Sequence, residues 1–162
     1  MSARQSSQQD RHEISVMVED KAWKGVSKPL VGHIRRAAAF TLLRAGAAPA
    51  ASLTVLLTDD AHIQALNQRH RRKDKPTNVL SFPSSVPDYL GDVAIAYGVT
   101  AREASATNKL LTEHAVHLAV HGTLHLLGYD HVRSKDAEKM EALEREILAE
   151  LGIPDPYRRN AA

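Results

Sequence analysis

Ile14, Val16 and Val18 recur at every second position, with Ser15 and Met17 between them, and this spacing predicts a first strand. From about Val26 to Ala45 the period changes. Leu30, Ile34, Ala37, Ala38 and Leu42 fall at helical spacing, and Gly46 and Pro49 supply the stop. The run LTVLL, Leu53 to Leu57, predicts a strand buried on both faces. Thr58, Asp59 and Asp60 then offer caps for a short helix carrying Ile63 and Leu66. The stretch NQRHRRKDKPTN that follows is polar, basic and without period, and predicts irregular chain. Val79 to Phe82 and Val93 to Tyr97 are short strand candidates on either side of the turn-rich PSSVPDYLGD. Thr100 and Glu103 have the spacing of a capping box. A helix pattern runs from about Leu110 to Leu127, and a last one from near Ser134 to Leu151, where Gly152 and Pro154 end it.

These elements make one α+β domain, a small mixed β-sheet packed with helices. The expected boundaries are a disordered extension over 1–11, a single catalytic domain over 12–155 and a flexible basic tail over 156–162. The length, 162 residues, suits one core. No apolar run approaches the roughly 20 residues of a membrane helix, and the polar N-terminus MSARQSSQQD has no secretion-signal core. No membrane partner is therefore expected, and a cytoplasmic location fits. With no cysteine, any metal site must use nitrogen and oxygen ligands. Net charge is only +2 with histidines neutral, so nucleic-acid binding has to be argued from local clusters. Aromatic residues, at 4%, are too few for a strand-binding surface built on base stacking.

Five of the nine histidines lie within the eighteen residues HAVHLAVHGTLHLLGYDH. His121 and His125, four apart, share a helix face at a separation of about 6 Å, which suits two ligands on one ion. His131 follows His125 by six residues, and a continuing helix would swing it roughly 240° round the axis, away from that ion. Gly128 removes the obstacle, because glycine readily takes the left-handed conformation that ends a helix and reverses the chain. The pattern H-x₃-H-x₂-G-x₂-H thus predicts one Zn²⁺ held by His121, His125 and His131, the ligand spacing of metzincin proteases. Three ligands with no cysteine suit a catalytic ion better than a closed structural one, although imidazoles also accept Ni²⁺ and other divalent ions. His117 is read as a supporting or core residue and His114 as surface. Asp130 is either the partner of a ligand imidazole or a turn cap.

Zinc proteases of this spacing carry glutamate after the first histidine as general base, and here that place is Gly122. Peptidase chemistry is demoted accordingly. Arg69, His70, Arg71, Arg72, Lys73 and Lys75 form a basic run offset only by Asp74 and anchored by Pro76, Thr77 and Asn78. Arginine binds phosphate oxygens in bidentate fashion, so Arg71, Arg72, Lys73 and Lys75 are candidate contacts to the phosphates of a substrate.

The blocks LNQRHRRKDKPTNVLSFP, LGDVAIA and HGTLHLLGYDH, in this order and spacing, resemble the hallmarks of the YbeY family of endoribonucleases, the rRNA maturation factors. The resemblance covers roughly Leu53 to Leu151. It implies a zincin-like α+β protein that cleaves single-stranded RNA, with roles in small-subunit ribosomal RNA 3′-end maturation and ribosome quality control. It assigns the metal to His121, His125 and His131 and the critical arginine to Arg71. One departure is His70, where an aromatic residue is more usual.

The expected chemistry is metal-assisted phosphodiester hydrolysis, with His121 and Arg71 as catalytic residues and single-stranded RNA and the small ribosomal subunit as partners. Asp92 is a candidate general acid whose competing role is turn formation. Two other readings are a zincin-like metallopeptidase and an RNA- or ribosome-binding module with a structural zinc.

Overall fold

In a computed structural model the described residues are 12–26, 29–73 and 75–157. The extension expected over 1–11 and residues 158–162 of the expected tail lie outside them. Among the described residues four strands form one sheet: β1 (Ile14–Val18), β2 (Ser52–Thr58), β3 (Val79–Pro83) and β4 (Tyr89–Ala96), in the order β1-β2-β4-β3. β1, β2 and β4 run parallel, and β3 pairs antiparallel with β4, so the sheet is mixed as expected. The helices are α1 (Leu30–Arg44), α2 (Asp60–Arg71), α3 (Tyr97–Ala106), α4 (Leu111–Leu126) and α5 (Ser134–Glu150). A short 3₁₀ turn over Lys21–Gly25 seals one end of the sheet. It buries Trp23, whose indole Nε1 donates to the Thr58 carbonyl at 2.9 Å.

The two faces of the sheet are covered unequally. Leu53, Val55 and Leu57 of β2, with Val93 and Ile95 of β4, lie fully buried in the main core against α1, α4 and α5. Side chains alternate along a strand, so the intervening residues face the other way. There Leu80, Ala94 and Ala96 meet Ile63 of α2, with Leu56, Leu66 and Phe82 packed on the margin. The strand LTVLL is thus covered on both sides, thickly on one and thinly on the other.

Three local expectations are corrected. The basic stretch is helical as far as Arg71, because Asn67 is buried and ties the chain down. The Asn67 side-chain amide donates to the Lys75 carbonyl at 2.9 Å, and the Asn67 backbone carbonyl accepts from the Lys73 N–H. Thr100 does not cap α3, which begins a turn earlier at Tyr97. Its hydroxyl donates to the Ala96 carbonyl at 2.6 Å, inside the helix. The cap comes from another element: the Asp60 carboxylate accepts from the Val99 N–H at 3.0 Å. His114 is not on the surface. It is 8% exposed and meets Glu103 of α3 at 3.0 Å, so the face expected to see water sees a neighbouring helix.

Candidate metal centre and substrate cleft

Ala115, Leu118, Ala119, Val120 and Leu124 bury one face of α4 in the core. The adjoining face carries His114, His117, His121 and His125, each three or four residues from the next and therefore in one row. Gly122 presses α4 onto the sheet. A Cβ there would fall 2.4 Å from Val93 Cγ1 and 3.2 Å from Ser81 Oγ. Ser81 Oγ in turn donates to the Gly122 carbonyl at 2.9 Å. The position where zinc peptidases hold their glutamate is thus filled by strands β3 and β4, and no larger side chain fits.

Past Leu126 the chain turns through a residue-by-residue reversal. Gly128 sits at φ +97°, its N–H donating to the His125 carbonyl, while the Tyr129 N–H donates to the Leu124 carbonyl. That pair of bonds is the Schellman motif. Asp130 then acts as a turn cap, its carboxylate accepting from the Val132 N–H at 3.1 Å. The return brings His131 over the helix end, with its ring 5.5 Å from that of His121 and 5.0 Å from that of His125.

One ring nitrogen from each of His121, His125 and His131 lies within 4.8 Å of the others, and Nε2 of His121 is 3.0 Å from Nε2 of His125. Two imidazoles on a tetrahedral zinc, at Zn–N of about 2.0–2.1 Å, stand about 3.3 Å apart, so the donor set fits such an ion with a small adjustment. Burial, reinforced by the neighbouring His121 and His131, lowers the His125 pKa to about 4, which keeps its ring neutral and able to ligate.

Behind His121 stands Glu144 of α5, fully buried, a residue that local spacing had not singled out. Its carboxylate accepts from Nδ1 of His121, from Nε2 of His117 at 3.2 Å and from the hydroxyl of Tyr157. Burial alone would raise its pKa, but these three donors outweigh it and hold the group at about 2. Tyr157 is driven upward by burial and by the carboxylate beside it. In the segment expected as a flexible tail, Pro156 also accepts from Lys109 Nζ at 3.1 Å. His117, His121 and Glu144 offer a second set of ligand atoms within 4.8 Å of one another.

A cavity of about 520 Å³ opens over the three histidines, lined across from them by Arg71, Thr77, Asn78 and Ser81. Of the basic candidates only Arg71 lines it. Arg72, Lys73 and Lys75 are exposed beside it. None of the four makes an ion pair among the described residues. His70 packs its ring against Phe82 at 5.0 Å, an aromatic contact made by imidazole. Asp92 is not in the cleft. It pairs with Thr54 and Phe82 on the α2 side of the sheet and accepts from the Tyr89 hydroxyl, which rules out the general-acid role considered for it.

A protein-family model described as Endoribonuclease YbeY matches residues 8–152. Among curated proteins, the endoribonuclease YbeY of Methylocella silvestris is 46% identical over 92% of this chain and 88% of its own length. That of Azorhizobium caulinodans is 48% identical over 90% and 96%. The solution structure of TM1509 from Thermotoga maritima shares the fold, with a TM-score of 0.58, 25% identity and coverage of 90% of this chain and 99% of that one. With its histidine turn and mixed sheet in place, the chain belongs to the YbeY family.

Proposed function

We propose that the protein is a zinc-dependent endoribonuclease of single-stranded RNA, acting in the cytoplasm on the 3′ end of small-subunit ribosomal RNA and in ribosome quality control. Residues 12–155 serve as its catalytic domain, and the small ribosomal subunit is its partner. One observation carries this reading: three convergent imidazoles line a single cleft with a guanidinium that makes no ion pair among the described residues.

His121, His125 and His131 hold the cation. When bound, it supplies Lewis acidity and a water acidic enough to ionise near neutral pH. Arg71 binds the scissile phosphate and stabilises the charge that grows on its oxygens, in a cleft that lowers the surrounding dielectric. Arg72, Lys73 and Lys75 hold flanking phosphates outside the cavity without reading bases. Gly122 leaves no side chain to act as a peptidase base, which favours a phosphodiester over a peptide substrate.

The test incubates zinc-loaded protein with single-stranded RNA and, in parallel, with a denatured protein. RNA cleavage alone is expected. His121→Ala should lose both metal and cleavage. Arg71→Ala should keep the metal and lose about 10²–10³-fold in rate, the usual cost of removing one donor from a developing oxyanion. Cleavage that survives His121→Ala belongs to a contaminant and sinks the reading. Tight RNA binding without cleavage assigns the chain to a binding module instead.

A further inference from the structure

The carboxylate of Glu144 has no substrate to reach, for it is 0% exposed. A buried charge is costly unless it is hydrogen-bonded on all sides, and such residues persist where they serve a neighbour. Here each oxygen has its partners: one meets Nδ1 of His121, and the other meets Nε2 of His117 and the Tyr157 hydroxyl. A carboxylate accepts and cannot donate, so Nδ1 of His121 must carry the proton. That leaves the lone pair on Nε2, the nitrogen 3.0 Å from Nε2 of His125. The tautomer and the ring orientation are therefore set from behind.

Tyr157 adds a third layer. Its ring lies edge-on to His117 at 5.7 Å, and its outer side is covered by the Arg145 guanidinium 5.3 Å from the ring centroid. Its backbone N–H donates to the Asp155 carboxylate at 2.8 Å, and Asp155 also meets Arg145 at 3.3 Å. The segment after α5 is thus folded back so that one hydroxyl reaches the buried carboxylate.

We infer that Glu144 and Tyr157 are positioning residues for metal binding, a relay running from the C-terminal segment through a buried carboxylate to Nδ1 of His121. The inference rests on the three-histidine reading above and adds two residues to it. The alternative occupant of this region, a second cation held by His117, His121 and Glu144, would need the carboxylate to give up donors that already satisfy it.

The experiment uses the full chain, stripped of metal, and measures Zn²⁺ affinity and stoichiometry by competition with a chromogenic chelator in the absence of RNA. Loss of a partner behind a ligand imidazole typically weakens metal binding 10–100-fold, and that is the drop expected for Glu144→Gln. Gln retains an oxygen to accept from His121 but not the charge. Tyr157→Phe, which deletes one peripheral oxygen, should weaken binding several-fold while the melting temperature of the metal-free protein stays within a few degrees. One ion per chain is expected. Wild-type affinity in either folded variant overturns the relay for that residue, and Tyr157→Phe decides alone if Glu144→Gln fails to fold. Two ions per wild-type chain would make Glu144 a ligand and overturn it as well. A wild-type protein that binds no zinc would instead overturn the three-histidine reading itself.

Discussion

Two helices end on the same cleft, and they end differently. At the end of α4 a glycine at φ +97° reverses the chain with both Schellman bonds made, and a buried glutamate backs the last turns. At the end of α2 the left-handed residue is Arg72, at φ +55°, a conformation that costs a non-glycine residue about 1–2 kcal/mol. In the last two turns below it only Asn67 is buried, and the basic side chains beyond stand in solvent. On the proposed function the difference follows from what each end would meet. Imidazoles must be held within a fraction of an ångström to share an ion, whereas guanidinium and ammonium groups meeting a flexible polyanion gain from reach. The rigid end is built from core, and the other is built on it.

The largest effect should come from the packing under the rigid end. Gly122→Glu, which restores the residue order of a zinc peptidase, would place a Cβ 2.4 Å from the buried Val93 and a carboxylate in the core. Overpacking and charge burial together should cost about 3 kcal/mol or more, read as a fall in the urea midpoint at unchanged slope. No peptidase activity should appear. A variant as stable as the parent would show that α4 is not seated on β3 and β4 as described.

Acid should separate the two ends next. The neutral His125 is favoured in the folded protein, with its pKa lowered from 6.5 to about 4, so metal-free protein should lose stability as pH falls from 6.5 towards 4. Glu144, lowered from 4.5 to about 2, extends the loss from 4.5 downwards. Melting temperatures of the metal-free protein between pH 7.5 and 3 check this, and His125→Asn should reduce the upper part of the decline, the rest of which comes from His114, whose pKa burial also lowers. A flat profile down to pH 4.5 would deny the burial of His125.

How much of this was readable beforehand depends on whether the cause was local. The return at Gly128 was legible because spacing and glycine conformation suffice to place His131 near His121 and His125. Glu144 and Tyr157 were not, since they lie 23 and 36 residues after His121, and nothing in a window around that residue reports them. In the sequence Gly122 stands out for what it lacks, a catalytic carboxylate, while its reason is contact with Val93 and Ser81 of two strands. The end of α2 is hidden from the sequence for a related cause. Its last turn has no apolar period, and the buried amide of Asn67 that holds it looks like one more polar residue in a polar run. Asp60 likewise caps α3 from another helix, where Thr100 and Glu103 had offered a plausible local pair.

A matched pair of glycine exchanges tests the contrast between the helix ends directly. Gly128→Ala meets no neighbour within 4 Å, so its cost is conformational alone, about 1–2 kcal/mol, and any relaxation of the turn also moves His131 and weakens zinc binding. Arg72→Gly should change stability by under about 1 kcal/mol, because relief of the left-handed strain is offset by the greater entropy of glycine in the unfolded chain. It should leave zinc affinity alone. Equal effects of the two on zinc affinity would erase the distinction.

The smallest effects are expected among the basic residues, and they sort by place. Each phosphate contact to single-stranded nucleic acid contributes about 0.7 to the slope of log affinity against log salt. Arg72→Ala, Lys73→Ala and Lys75→Ala, exposed outside the cavity, should each lower that slope by roughly this amount and weaken RNA binding a few-fold, with the rate at saturating RNA unchanged. Arg71→Ala should lower the slope by a similar amount and the saturating rate as well, because only Arg71 shares the cavity with the histidines. The slope measures contact with phosphate wherever it occurs, while the saturating rate measures contact at the phosphate that reacts. If Lys73→Ala reduced the saturating rate as much as Arg71→Ala, the reacting phosphate would lie further along the basic segment than the cavity allows.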